Sequence, residues 1–226
     1  MSQHRTSALE RALDKAIAVP AGRIEERVAR MRRERPGADT AELVELAASR
    51  FRTEAGMTSG AVGASAALPA VGTGTAAALT VGQTAVFMAS AVTYVLTVAE
   101  LQGLRVVDTE RRRTLVLSAL LGKEGSEAIQ GSLGLTTLFW AAQSLAKMPL
   151  PTVKSINTQL AKRLAKRASV QGGALALGRL IPFGIGAAIG WSGGRALANQ
   201  VIEGTHAALG PALDSPEAGA IEVIEA

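Results

Sequence analysis

The chain has no cysteine among its 226 residues. This excludes a disulfide framework, a thiol nucleophile and any metal site built on cysteine, and it is typical of a cytosolic protein. Aromatic residues make up only 3% of the sequence, so few bulky rings are available to fill a core or to stack on nucleic-acid bases. The apolar residues are mostly alanine, leucine and valine, and there are 24 glycines, which lets helix backbones approach one another closely.

Charge is absent from residues 55–99, a stretch of 45 residues. The middle of this stretch contains residues that interrupt helices, namely Pro69, Gly72 and Gly74. They leave one piece, 55–68, that is too short to cross a bilayer, and a second piece, 75–99, that exceeds the roughly 20 residues a membrane span needs. A first apolar helical hairpin is therefore predicted here.

A second apolar stretch, 180–194, has the same plan, with Pro182 and Gly184 at its own turn. Beyond this turn, Gly186, Gly190 and Gly194 recur every four residues and lie on one helix face. Glycine is costly inside a helix unless close approach requires it. The spacing predicts a glycine zipper, either at a membrane interface or within a tightly packed soluble core.

The charged residues divide the chain into three regions. Residues 1–36 form a charged helical arm, 37–210 a helical domain, and 211–226 an acidic, flexible tail. Residues 131–206 hold eight basic residues and one acidic residue, whereas 207–226 hold four acidic residues and no basic one. Charges run throughout the first residues, which is unlike a secretory signal, so we expect the protein to face the cytoplasm.

Helical periodicity runs along the whole chain, and no segment alternates with period two. Asp39 followed by Glu42 predicts a capping box, and Asp108 and Gly122 predict the start and stop of a helix between them. We therefore expect an all-α single domain built around the two apolar hairpins. The predicted helices are 8–18, 23–35, 39–54, 58–68, 75–103, 109–121, 126–147, 152–169, 174–180 and 185–209.

The segment 152–169 predicts a basic amphipathic helix. Its apolar stripe consists of Val153, Ile156, Leu160 and Leu164. Its basic residues, with no acid among them, are Lys154, Lys162, Arg163, Lys166 and Arg167. Such a helix favours contact with an anionic membrane surface. The alternative is an ordinary surface helix whose stripe packs into a soluble core.

Motifs that carry chemistry are weak. Ser192 lies in a Gly-x-Ser-x-Gly pattern, but its flanks are helical and a nucleophile elbow needs a strand before it. The glycines around residue 72 lack the strand and acid of a dinucleotide site. His4 and His206 have no ligand-spaced partners. We expect no catalytic residues, metal or cofactor. Basic runs near residues 30 and 111 lack a nucleic-acid-binding motif, so nucleic acid is disfavoured.

Several local strings resemble the EcsC protein family. These strings are the small-residue segment 55–69, the end of the long helix at 98–103, the helix 108–122, and Leu180-Ile181-Pro182-Phe183-Gly184. The resemblance covers roughly residues 40–205. Gln102 replaces the family's usual tyrosine, and Gly184 falls one position early. The family contributes no agreed catalytic residues, so none are carried over.

The resemblance implies a helical, membrane-associated bacterial protein with a loose link to transport or secretion, because the family is named after a gene beside an ABC-transporter pair. We therefore expect a non-catalytic accessory protein, peripheral to or shallowly inserted in the cytoplasmic face of the cell membrane. Its expected partners are an anionic lipid surface and either a membrane transporter or a second copy. Two alternatives remain: a soluble module that binds a lipid or apolar ligand, and an integral protein with a span near 75–99.

Overall fold

The computed structural model describes residues 2–65, 73–134, 139–178, 185–212 and 222–224, with side chains for 10–59, 84–134, 139–142, 144–167 and 191–212. Within these ranges the chain is almost wholly helical, so the predicted all-α fold is confirmed. The helices are α1 (Ser2–Ile17), α2 (Ala21–Glu34), α3 (Thr40–Ser65), α4 (Thr73–Leu101), α5 (Thr109–Leu121), α6 (Lys123–Leu133), α7 (Trp140–Ser144), α8 (Leu150–Gly178) and α9 (Ile185–Leu209).

Helix α5 lies at the centre of the bundle and packs against α4, α6, α8 and α9. From Arg111 to Leu121 its side chains are buried, apart from the half-buried Arg113. The second half of α4 is covered in the same way, and Val92 and Val95 are fully buried. Because both helices are covered on nearly every face, neither has the one-sided apolar stripe of an amphipathic surface helix.

The first two helices share this core. Both α1 and α2 pack on α4. Their inward residues, all buried, are Leu13, Ile17, Ile24, Val28 and Met31. The segment predicted to be a charged N-terminal arm is therefore continuous with the helical domain in its packing, and its charges lie on the outer faces of the two helices.

The local capping signals are confirmed. The backbone N–H of Asp39 donates to Glu42 Oε2 at 3.3 Å, and the N–H of Glu42 donates to Asp39 Oδ1 at 2.7 Å, which is a capping box. Asp108 Oδ1 accepts from the N–H of Arg111 at 2.9 Å and caps α5. Gly122, with φ of 71°, ends that helix. Each signal depends on residues within one turn.

Three predicted helix boundaries are wrong. Helix α3 runs through Ala55 and Gly56 without a break, and α8 runs through Gly172 and Gly173, because a glycine costs only about 1 kcal/mol inside a helix and does not end one by itself. The predicted helix 126–147 is instead divided into α6 and α7. Gly134 ends α6 in the left-handed conformation, with φ of 62°.

Two short strands were not predicted. Strand β1 (Leu104–Val106) pairs in parallel with β2 (Glu222–Ile224), and Arg105 lies opposite Val223. Three residues of the acidic tail, which was predicted to be flexible, therefore pair with the helical domain. Three-residue strands are too short to show period-two alternation in a sequence, which is why the pattern gave no sign of them.

Candidate functional site

The charge-free parts of three long helices lie at one end of the bundle. The Phe51 and Phe87 rings are in contact, with centroids 5.9 Å apart, and lie equally far along the chain from the facing ends of α3 and α4. Helix α9 is antiparallel to α3, because Arg52 Nε donates to Asn199 Oδ1 at 3.0 Å while Gly56 contacts Trp191, earlier in α9. We call residues 55–65 of α3, 73–88 of α4 and 185–194 of α9 the apolar end.

Large apolar side chains are exposed where the apolar end begins. Met57 is 62% exposed, Val86 49% and Trp191 39%. No charged residue lies between positions 55 and 99 or between 180 and 194. These three side chains therefore lie where three helix segments without charged residues begin.

Trp191 has a partner on each side. Its ring packs so closely on Gly56 that a Cβ added there would lie 2.9 Å from the indole Cε3. The guanidinium of Arg195, one turn further along α9, lies over the ring at 5.7 Å from its centroid, a cation–π contact. A tryptophan fixed beside a cation at the border of an apolar surface is typical of residues at a membrane interface.

Gly194 lies where α9 crosses α3. A Cβ added at Gly194 would lie 2.4 Å from the carbonyl oxygen of Ala55 and 2.8 Å from Ser59 Cβ. The two backbones can meet at this distance only because the side chain is missing. Gly74, Gly186 and Gly190 lie in helices whose contacts there are outside the described side chains. The predicted turn residues Pro69, Gly72, Pro182 and Gly184 lie outside the described residues altogether.

The five basic residues predicted to contact a membrane fall into two groups. Lys154, Lys162, Arg163 and Lys166 are exposed. Arg167 is half-buried: it donates to the carbonyl oxygen of Leu121 at 3.1 Å and to Gln200 Oε1 at 2.9 Å, so it links α8 to α5 and α9. Four of the five cations therefore face solvent, whereas Arg167 holds three helices together.

The apolar stripe of this helix does not face solvent. Val153 and Leu160 are buried against the core, as is Ile156, and Leu164 packs at its edge. The interpretation of the stripe itself as a membrane-contacting face is therefore wrong, because α8 packs that face on α5. What remains available to a membrane is the basic face of α8, which consists of the exposed residues Lys154, Lys162, Arg163 and Lys166.

A polar groove of about 420 Å³ runs beside the basic face. Its lining includes Glu110, Arg113, Lys154, Asn157 and Lys162. Asn157 is held in place, since its Nδ2 donates to Glu110 Oε2 at 2.8 Å and its Oδ1 accepts from Thr114 Oγ1 at 2.7 Å. Charges of both signs make this groove unsuited to an apolar ligand.

The opposite end of the bundle is held by buried arginines, which the sequence analysis treated only as part of a basic run. Arg111 donates to the carbonyl oxygens of Leu145 and Met148, both at 3.1 Å. Arg112 donates to those of Val106 and Val19, both at 2.6 Å. We call this junction of β1, the start of α5 and the loop before α8 the polar end.

Glu100 lies near the polar end, on the last turn of α4. Burial raises the pKa of its carboxyl above the ordinary value, and the nearby Arg105 opposes that shift. Burial also lowers the pKa of Arg112, against the attraction of Asp108. Arginine nevertheless keeps its charge in proteins, so all its donors stay available to the carbonyls.

Two of the weaker motifs, at Ser192 and His206, lie in a helix that the structure describes. Ser192 lies inside α9, whereas a nucleophile elbow requires a turn from a strand into a helix. His206 is half-buried on the same helix. Among the described residues, no group of three or more histidine, aspartate or glutamate side chains is placed to hold a metal ion.

Among the described residues one helix segment, Thr84–Leu101 of α4, is long and apolar enough to cross a membrane, and 56% of it is buried inside the protein. A scan of protein-family models, a search of curated proteins and a search of solved structures found no match to this chain. The resemblance to the EcsC family stays a prediction.

Proposed function

We propose that this is a non-catalytic, membrane-associated protein that docks its apolar end on the cytoplasmic face of a membrane, peripherally or by shallow insertion. The observation that carries the proposal is the exposure of Met57, Val86 and Trp191 at an end of the bundle where the stretches of α3, α4 and α9 carry no charged residue. Large apolar side chains that are exposed at one end of a bundle suit a membrane or protein contact.

The pair formed by Trp191 and Arg195 would lie at the level of the lipid headgroups and limit the depth of insertion. An indole ring partitions to the level of the lipid headgroups, and a guanidinium over its face can reach a phosphate. Residues beyond Trp191 toward the tip of α9 carry no charge. The apolar end would therefore enter the bilayer as far as this pair and no further.

The basic face of α8 supplies a weaker, longer-range attraction. The bond between Arg167 and Gln200 places the basic face near Gln200 of α9. Gln200 is about 13 Å from Trp191 along the helix axis, at a rise of ~1.5 Å per residue. Screening acts over ~8–10 Å at ordinary ionic strength, so each exposed cation should contribute less than the ~1 kcal/mol of direct surface contact.

Peripheral docking is favoured over the two alternatives by packing. A span through Thr84–Leu101 would require α1, α2, α3 and α5 to leave the side chains of α4 that they cover. A module for an apolar ligand needs an apolar cavity; among the described residues the groove beside α8 is charged, and the space between the two hairpins lies outside the described side chains. The link to a transporter, or to self-association through the small residues of α9, is supported only by the EcsC resemblance and the glycine spacing.

Tryptophan fluorescence tests the docking end directly. The chain has two tryptophans; Trp140 is fully buried, and Trp191 is the exposed one. Adding phosphatidylglycerol vesicles to the full chain should shift the emission to shorter wavelength, and Trp191→Phe should remove the shift. An unchanged emission at vesicle concentrations that co-sediment the protein would show that another surface binds.

Glutamates introduced at the two ends of the bundle distinguish docking through the apolar end from non-specific binding to vesicles. Met57→Glu with Val86→Glu should lower co-sedimentation with phosphatidylglycerol vesicles at least tenfold. The matched control is Val107→Glu with Leu150→Glu, which adds the same charge at two exposed apolar residues of the polar end and should retain binding. Equal losses in both double variants would contradict docking through the apolar end.

The basic face has its own test. Replacing the four exposed cations Lys154, Lys162, Arg163 and Lys166 with Gln should weaken binding to phosphatidylglycerol and reduce its salt sensitivity, while leaving binding to phosphatidylcholine unchanged. If wild type and variant bind both lipids equally, the basic face has no role in docking.

In cells, release of the protein from membranes by carbonate indicates a peripheral protein, and resistance to carbonate indicates an integral one. A wholly soluble pool contradicts the proposal.

A further inference from the structure

Strand β1 is paired along one edge with a very short strand, β2. It pairs with β2 over three residues, in the register Leu104–Glu222, Arg105–Val223 and Val106–Ile224. Two strands without a larger sheet are marginally stable, and parallel pairing is slightly weaker per residue than antiparallel pairing. This contact can therefore open while the helical bundle stays folded.

The connection to β2 allows the strand to leave. Helix α9 ends at Leu209, and Gly210 turns the chain with φ of 90°. The carbonyl oxygen of Gly210 accepts a hydrogen bond from Gln102 Nε2 at 3.3 Å, which fixes the start of the tail near β1. From Pro211 to Glu222 the chain can extend by ~35 Å at ~3.3 Å per residue. The connection is therefore long enough for strand β2 to reach a neighbouring molecule while α9 stays in place.

We propose that β1 is a strand-docking edge that the acidic tail fills within one copy and that the tail of a second copy can fill in its place, giving a reciprocal strand-exchanged dimer. A second copy is the partner that fits, because its strand has the same sequence, register and charge as β2. Exchange of an identical element between two copies costs little once the element can detach. The exchange does not depend on the proposed docking function, although docking by the apolar end would leave β1, at the polar end, free to meet a neighbour.

The absence of cysteine allows the pairing to be trapped by engineered disulfides. Two singly substituted full-length chains, Arg105→Cys and Val223→Cys, carry different affinity tags and are mixed at high concentration in solution without vesicles. Residues opposite each other on paired strands lie within the separation a disulfide accepts. We expect a covalent heterodimer that forms at least tenfold faster than the one between Arg105→Cys and Glu217→Cys, whose cysteine lies in the tail outside β2.

A double variant measures the closed form. Arg105→Cys with Val223→Cys in one chain should form a disulfide within the chain when dilute and between chains when concentrated. Because Arg105→Cys also removes the ion pair with Glu25, light scattering of the unsubstituted chain gives a second measurement. Its dimer fraction should fall at least tenfold on Val223→Pro, which removes a backbone N–H from β2.

Two results would overturn the exchange. One is a disulfide that forms only within the doubly substituted chain at every concentration, which would leave the tail as an internal strand. The other is heterodimer formation at the same rate with Val223→Cys and Glu217→Cys. Neither outcome bears on vesicle binding, so the docking proposal and the exchange proposal fail independently.

Discussion

The two ends of the bundle hold their helices together by opposite means. At the polar end, the Arg111 and Arg112 side chains reach out and donate to backbone carbonyls of loops and of β1. At the apolar end, α3 and α9 meet because side chains are missing at Gly56 and Gly194. Charged clamps connect loops whose carbonyls lack helical partners, whereas small residues connect regular helices and leave their outer surface free of charge. An end built in the second way can face an apolar medium.

The largest expected effect is at the polar end. Arg112→Met keeps an unbranched side chain but leaves the carbonyl oxygens of Val106 and Val19 without their donor. Buried unsatisfied acceptors are costly, so the free energy of unfolding should fall by about 3 kcal/mol. Urea denaturation measures it. The exposed Arg163→Met is the control and should change stability by less than about 0.5 kcal/mol; equal effects would mean that the buried hydrogen bonds do not hold this end.

The next largest effect tests the close approach at the apolar end. In Gly194→Ala the new methyl group would lie 2.4 Å from the carbonyl oxygen of Ala55, so one backbone must move. Overpacking of this kind costs about 2 kcal/mol. Thermal unfolding should show the loss. An unchanged melting temperature would mean that α3 and α9 are farther apart than described.

A smaller effect of opposite sign is expected one residue earlier. Gly193 is in the same helix, and a Cβ there would meet no atom within 4 Å. Gly193→Ala should therefore stabilise the protein by about 0.4–1 kcal/mol, because it restricts the unfolded chain without a clash. The pair separates helix propensity from packing. If both alanine variants shift stability in the same direction, the contrast between the two glycines is wrong.

The smallest effect concerns pH and lies near the polar end. Since burial raises the pKa of Glu100, the folded state holds this proton more tightly than the unfolded state does. Stability from this group is therefore present below the unfolded pKa and is lost as pH rises through the folded pKa. Glu100→Gln should remove that loss, so the stability of the variant relative to wild type should increase as pH rises above the ordinary glutamate pKa of about 4.3, as measured by urea denaturation at several pH values.

Glu34 gives the opposite sign for comparison. A hydrogen bond from Arg50 lowers the pKa of this exposed carboxyl, and the bond length is 2.6 Å. Its small contribution to stability is present above the unfolded pKa and is lost as pH falls. Glu34→Gln should therefore become slightly less stable than wild type as pH is raised. Parallel pH profiles for the two variants would contradict the burial of Glu100.

Much of the fold could be predicted from the sequence where the signal is local. The capping box of Asp39 and Glu42 and the cap at Asp108 are fixed by residues three positions apart, and the periodicity of Val153 and Ile156 predicted an amphipathic helix in α8 but not what its apolar stripe contacts. The continuity of α3 across residue 55 was missed, because a change from charged to uncharged composition carries no backbone signal. The split between α6 and α7 was missed because Gly134 resembles the tolerated glycines elsewhere.

The candidate site was less accessible from the sequence. The basic residues of α8 were identified, but the link from Arg167 to Gln200 depends on two residues from different helices. Trp191 and Arg195 are one turn apart, a spacing that could have indicated their contact. The exposure of Met57 had no sequence signal, since an apolar residue in an apolar helix is expected to be buried.

By itself the sequence determined that the chain is helical, where several helices are capped, and that residues 55–99 carry no charge. Only the tertiary structure decided which apolar surfaces face the core, since the stripe of α8 is covered by α5 while Trp191 is left partly exposed. It also decided that Arg111 and Arg112, part of a basic run, are buried. The physical reason is range: helix formation depends on neighbours within one turn, whereas burial depends on helices such as α3 and α9 that lie far apart along the chain.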